Sequence, residues 1–87
     1  MLESLNDNKT LLPQRVSDQI VKLITQRQLK AGDKLPNEFE MAQQLSVGRG
    51  TIREAVKILV SRNILEIRRG RGTFVCRHPG MVEDPLG

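Results

Sequence analysis

The chain has 87 residues, 38% of them hydrophobic, with Phe39 and Phe74 as its two aromatics and Cys76 as its single cysteine. A chain of this size makes one small domain and buries only about 60% of its unfolded surface, which leaves no room for a deep catalytic cavity, and one cysteine excludes an internal disulfide or a cysteine metal cluster. The net charge is +4, but residues 1–48 sum to zero, while 49–77 hold eight Lys/Arg against Glu54 and Glu66, a sum of +6.

A neutral half joined to a basic half points to a polyanion met by one end of the chain. No apolar run of about 18 residues exists for a membrane span. The start, Met1 to Asp7, lacks the basic opening and apolar core of a signal peptide. The expected location is the cytoplasm.

Residues 1–11 are mostly polar and aperiodic and read as a flexible N-terminal arm. A basic arm can enter a minor groove, but Lys9 is this one's single cation. The spacing of Val16, Ile20, Leu23 and Ile24 predicts a first helix over 13–28, with Pro13 at its first position. Gly32 is the residue able to turn the chain with positive φ. Lys34-Leu35-Pro36 is extended, because residues before proline avoid the helical region.

Asn37 is a good N-cap, and Glu40 three residues on completes an Asn form of the capping box. That predicts a short second helix over 38–45, with Phe39, Met41, Ala42 and Leu45 as its apolar positions. Glu38 and Glu40 read as capping and solvated rather than as a catalytic pair. Phe39 has two readings, contact with a thymine methyl group or packing within its own domain, and the second is the expectation.

Ser46-Val47-Gly48 turns the chain into a third helix over 49–61. Ile52, Ala55, Val56, Leu59 and Val60 form one apolar stripe at helical period. Arg49, Arg53 and Lys57 fall at i, i+4, i+8 on another face. Arg49 stands in the first turn, where the helix dipole prefers an acid. Gly50 behind it costs roughly 0.8–1 kcal/mol against Ala in a helix interior. A solvated charged face is the plain account of the cations. Free N–H groups and cations at a helix start also suit phosphate. Two helices joined by a three-residue turn, the second basic at its start, form a helix-turn-helix pattern.

Asn63 closes the third helix, since Asn tolerates the left-handed conformation. Ile64 to Arg69, the glycine turn Gly70-Arg71-Gly72, and Thr73 to Arg77 then read as a β-hairpin. Leu65, Ile67, Phe74 and Cys76 are expected inward. Arg68, Arg69 and Arg71 gather at the tip. A surface turn explains the glycines but not three neighbouring arginines. A narrow cationic tip suits a minor groove or its bordering phosphates. It is not a phosphate loop, because no Gly-Lys-Ser/Thr ending is present. Cys76 reads as a small buried hydrophobe, and His78 as a lone linker histidine. Residues 78–87, rich in Pro and Gly, read as a linker.

Three segments, Leu35-Pro36-Asn37-Glu38, Val47 to Ala55 and Arg69 to Val75, together resemble the N-terminal winged-helix domain of GntR-family bacterial transcription regulators. The resemblance covers roughly residues 12–77, and the tail Asp84-Pro85-Leu86 is similar to the linker of the FadR-type branch. It implies a mainly α fold with a small β-hairpin, a winged helix-turn-helix. It implies sequence-specific binding of a palindromic double-stranded operator, as a repressor or activator, by a homodimeric full-length regulator. A small-molecule effector would act only through a C-terminal domain beyond the linker, and no cofactor is expected in this domain.

By the same resemblance Arg49 and Arg53 read guanine in the major groove. Gly48, Gly50 and Thr51 hold phosphate, with Lys57 as a further backbone contact. Arg68, Arg69, Gly70, Arg71 and Gly72 form the wing at the minor groove. Glu54 is expected to orient Arg53. The family usually has Arg where Phe39 stands and Ser or Thr at positions 48 and 50. The competing readings are a winged-helix protein-interaction module with a solvated basic face and, less well supported, an RNA binder, which lacks stacking aromatics. No nucleophile–base pair points to an enzyme.

Overall fold

The structure, a computed structural model, describes residues 2–77, with side chains from residue 11 onward. Three helices, α1 (Leu2–Gln26), α2 (Glu38–Leu45) and α3 (Arg49–Ser61), precede a hairpin of β1 (Leu65–Arg68) and β2 (Gly72–Val75). The expected linker over 78–87, with His78, lies outside the described residues.

Helix α3 is the centre of the packing. Its stripe of Ile52, Ala55, Val56 and Leu59 is buried, with Val60 packed at the edge. It meets Val16 and Ile20 of α1, Met41 and Ala42 of α2, and Leu65 and Val75 of the hairpin in one aliphatic core. Val47 packs against this core from the turn. Ser17 is the one buried polar residue among those whose side chains are described, and its hydroxyl donates to the Gln14 carbonyl at 2.7 Å, which offsets the cost of burying it.

Both expected helix starts in the turn are found where the sequence places them. The first helix differs. Its backbone is helical from Leu2, where an arm over 1–11 is expected, so Pro13 lies inside the helix rather than opening it. Elongation from a packed segment is cheap once a nucleus exists, although Pro13 offers no N–H to the turn before it. At its other end α1 stops two residues short of 28. Gln28 takes the left-handed conformation (φ 56°), and Leu29 N–H donates back to the Ile24 carbonyl at 2.9 Å.

Gly32 has φ +89° and Asn63 φ +61°, as their turns require. The segment 32–35 lies along the outer edge of β2. Gly32 N–H donates to the Val75 carbonyl, Val75 N–H to Asp33, and Leu35 N–H to Thr73, each at 2.8 Å. The hairpin therefore carries a short third rung, with Lys34 bridged to Phe74.

The hairpin pairs Leu65 with Val75, Glu66 with Phe74, Ile67 with Thr73 and Arg68 with Gly72. This corrects the expected inner face. Leu65 and Val75 are buried, whereas Phe74 belongs to the opposite face with Glu66 and Arg68. Side chains directly opposite one another share a face, so the register decides it. Ile67 keeps the inner parity but is 59% exposed, lining the open hollow beside α3 instead of the core. Cys76 is half-buried. Among the described residues no helix is long and apolar enough to cross a membrane, and no cluster of potential metal ligands occurs.

Candidate nucleic-acid interface

The turn from α2 to α3 passes through Ser46 in the left-handed conformation (φ 57°), whose N–H reaches the Ala42 and Gln43 carbonyls. The next helix opens at Gly48, an extended N-cap with no side chain to bond the first-turn amides. No acid stands in that first turn. The open amides and the dipole of α3 are thus available to an anion. A side chain at position 48 or 50 would meet nothing within 4 Å, so neither glycine is demanded by packing within the domain.

Arg49, Arg53 and Lys57 are all exposed, on the side of α3 away from its buried stripe. Thr51 is half-buried beside them. The structure therefore brings the expected cations of α3 together on one solvent-facing surface. Arg53 is not free. Its Nε donates to both carboxylate oxygens of Glu38, at 3.2 and 3.3 Å. The side chains are 60% and 36% exposed, so the pair adds little stability, but it fixes the direction of the guanidinium. The expected partner, Glu54, does not have this role. Glu38 lies 15 positions back on another helix, beyond the reach of any helix-period argument.

The hairpin tip closes with Arg71 N–H donating to the Arg68 carbonyl at 2.8 Å. Gly70 at the third turn position has φ +74°, which glycine adopts without strain. Arg69 and Arg71 are exposed at this tip. Arg68 is drawn away from it. Its Nη2 donates to Glu66 Oε2 at 2.6 Å, its Nε to the same oxygen at 3.0 Å, and its guanidinium lies over the Phe74 ring at 4.4 Å. Arg68 is consequently only 26% exposed. The same contact holds the Glu66 carboxyl below its ordinary range, first through the hydrogen bond from Arg68 and then through the charges of Arg68 and Arg77, against some opposition from desolvation. Period-2 alternation places residues 66 and 68 on one face, so this pairing was readable from the sequence.

Between α2, α3 and the hairpin lies a hollow of about 260 Å³, floored by Met41, Val56, Ile67 and Thr73 and edged by Arg53 and Lys57. It separates the cationic helix from the cationic tip.

Comparison with known proteins agrees with this geometry. The model of the family described as "Bacterial regulatory proteins, gntR family" matches residues 12–75. The chain is 46% identical over 69 residues to an Escherichia coli (strain K12) protein named provisionally as the L-lactate dehydrogenase operon regulatory protein, covering 75% of this chain and 27% of that protein. A solved structure of a Streptococcus agalactiae GntR superposes with a TM-score of 0.78 at 51% identity, covering 86% of this chain and 37% of the other. The DNA-binding domain of AraR, solved in complex with its operator ORR3, superposes with a TM-score of 0.68 at 38% identity, covering 75% and 78%. The chain thus spans little more than a quarter of the curated regulator. Three helices and an antiparallel hairpin in this arrangement are the winged helix of these DNA-binding domains.

Proposed function

From the premise that the chain belongs to the gntR family of bacterial regulatory proteins, we propose that residues 12–77 are the operator-binding domain of a ligand-responsive transcription regulator. Helix α3 enters the major groove of a double-stranded, palindromic operator, and the tip of the hairpin reaches the adjoining minor groove. The observation that carries the reading is the two-sidedness of α3. Ile52, Ala55, Val56 and Leu59 are buried on one side, while Arg49, Arg53 and Lys57 are exposed on the other above an N-terminus without a cap.

Arg49 and Arg53 read base edges, with guanine O6 and N7 as the acceptors that suit a guanidinium fork. The amides of Gly48 and Gly50, the Thr51 hydroxyl and Lys57 take phosphate oxygens. Arg69 and Arg71 flank Gly70, with Gly72 following, at the minor groove, and Arg68 supports the strand beneath them through Glu66. The complex of the similar AraR domain with its operator supports double-stranded DNA as the partner. Homodimerisation, and response to a small molecule through a part of the regulator beyond a linker at 78–87, belong to the same proposal.

The test is selection of bound duplexes from a random pool, followed by titration of the winner at about 50 and 200 mM salt. The expected result is a dyad with guanine in each half-site, and a log–log salt slope of about −0.9 for each phosphate neutralised. Failure to hold any duplex at about 50 mM salt would favour the protein-interaction module instead.

A further inference from the structure

We propose that Phe39 is a specificity-determining residue, which seats its ring against the C5-methyl group of a thymine beside the base read by Arg53. The inference rests on the docking proposed above and assigns a role to a residue which that docking does not use.

Phe39 is the second residue of α2 and one of the chain's two aromatics. It is 54% exposed, while Met41 and Ala42 of the same helix take the core positions. Its neighbour Glu38 holds Arg53 Nε at 3.2 Å. Phe39 therefore stands at the end of α2 that adjoins the cationic face of α3. Of the two carboxylates that flank it, one is paired with a cation and the other is turned back onto its own helix start. Glu38 is bound to Arg53, and Glu40 turns back to accept the Asn37 N–H at 3.3 Å. The group at this corner that a polyanion can approach without charge repulsion is the exposed ring of Phe39.

A phenyl ring gains nothing from a phosphate, so its partner on a duplex is apolar. The apolar group on a base edge in the major groove is the thymine methyl. A protein partner would be an alternative occupant, but the residue beside Phe39, Glu38, is bonded to Arg53 of α3, whose face carries the cations that attract nucleic acid. The choice of base at this position thus depends on a methyl group and not on hydrogen bonding.

The test uses the operator obtained by selection, with each thymine of a half-site replaced in turn by deoxyuridine, which differs only by the missing methyl. Dissociation constants are measured for the protein, for Phe39→Ala and for Arg53→Ala. The expected result is one thymine whose replacement weakens the unaltered protein about fourfold, the equivalent of about 0.8 kcal/mol for one buried methyl group, and a Phe39→Ala variant that binds both duplexes equally. The inference is overturned if no replacement weakens the unaltered protein, or if the loss persists in Phe39→Ala. Arg53→Ala separates the two levels. If it weakens binding while deoxyuridine has no effect, α3 docks as proposed and only the role of Phe39 fails. If neither has an effect, the docking itself is wrong. Phe39→Leu, which keeps an apolar side chain at this exposed position, is measured beside Phe39→Ala, and thermal melts of both confirm that a lost methyl effect comes from the ring and not from unfolding.

Discussion

Helices α2 and α3 are separated by residues 46–48 alone, and their first turns are finished in opposite ways. At α2 the Asn37 side chain accepts the Glu40 N–H at 2.8 Å, the Glu40 carboxylate accepts the Asn37 N–H, and two acids sit on the positive end of the dipole. At α3 a glycine caps nothing, and an arginine stands where an acid would be favourable. Helix α2 has eight residues and buries only two of them, so its end must be closed by local bonds. Helix α3 has thirteen residues and four wholly buried ones, and can leave its end bare. Stability drawn from packing at one place allows an unsatisfied, cationic terminus at another, and such a terminus is what a phosphate backbone fills.

That contrast can be broken by mutation. The largest expected effect is on the open side: Arg53→Ala should weaken operator binding by about 1–3 kcal/mol and relax one base position, with melting temperature unchanged because the Glu38 pair is exposed. Binding titrations beside thermal melts decide it. A loss of stability equal to the loss of affinity would show that the arginine is structural. Next in size, Asn37→Ala at the closed end should cost about 1 kcal/mol of folding free energy in chemical denaturation.

Smaller in stability but opposite in sign for the two readouts is Gly48→Asp. The site has room for a side chain. Aspartate would cap the helix and raise stability by a few tenths of a kcal/mol, yet its charge would repel phosphate and lower affinity. A variant that gained both would end the idea that the bare terminus serves DNA.

The smallest effect concerns the wing. Glu66 has its carboxyl pKa depressed in the folded state below an ordinary value of 4.5, chiefly by the Arg68 hydrogen bond. A depressed folded value means stability that is present above the unfolded pKa and is lost as pH falls through the folded one. Acid titration below about pH 4.5 should therefore loosen the hairpin, and Glu66→Gln should remove that portion of the pH dependence. Chemical shifts of the β1 and β2 amides would report it.

The parts of this molecule that were legible in sequence are those set by neighbours along the chain. The capping box, the left-handed glycine and asparagine, and both faces of α3 follow from spacings of three and four. The inner face of the hairpin was half legible. Leu65 and Ile67 share one side of β1, but which residues of β2 join them depends on where the tip closes. A pairing of Arg68 with Gly72 brings Val75 inward and turns Phe74 out, and a slip of one residue would reverse them. The tie between Glu38 and Arg53 was not legible, because only the packing of two helices brings those positions together. Nor was the exposure of Phe39, since an aromatic in a helical run reads as core until its neighbours are seen to fill the space.

The strip of chain at 32–35 that bonds to β2 has a further effect. Three main-chain bonds fasten the finger of the hairpin to the body, and near its tip the Lys34 stem lies so close to Gly72 that a methyl group there would come within 2.9 Å of Cε. These bonds tie the finger to the body that carries the rod of α3, like one jaw of a caliper to its frame. On the docking proposed above, one base pair inserted between the sites of rod and fingertip shifts the second by about 3.4 Å along the axis and is expected to weaken binding.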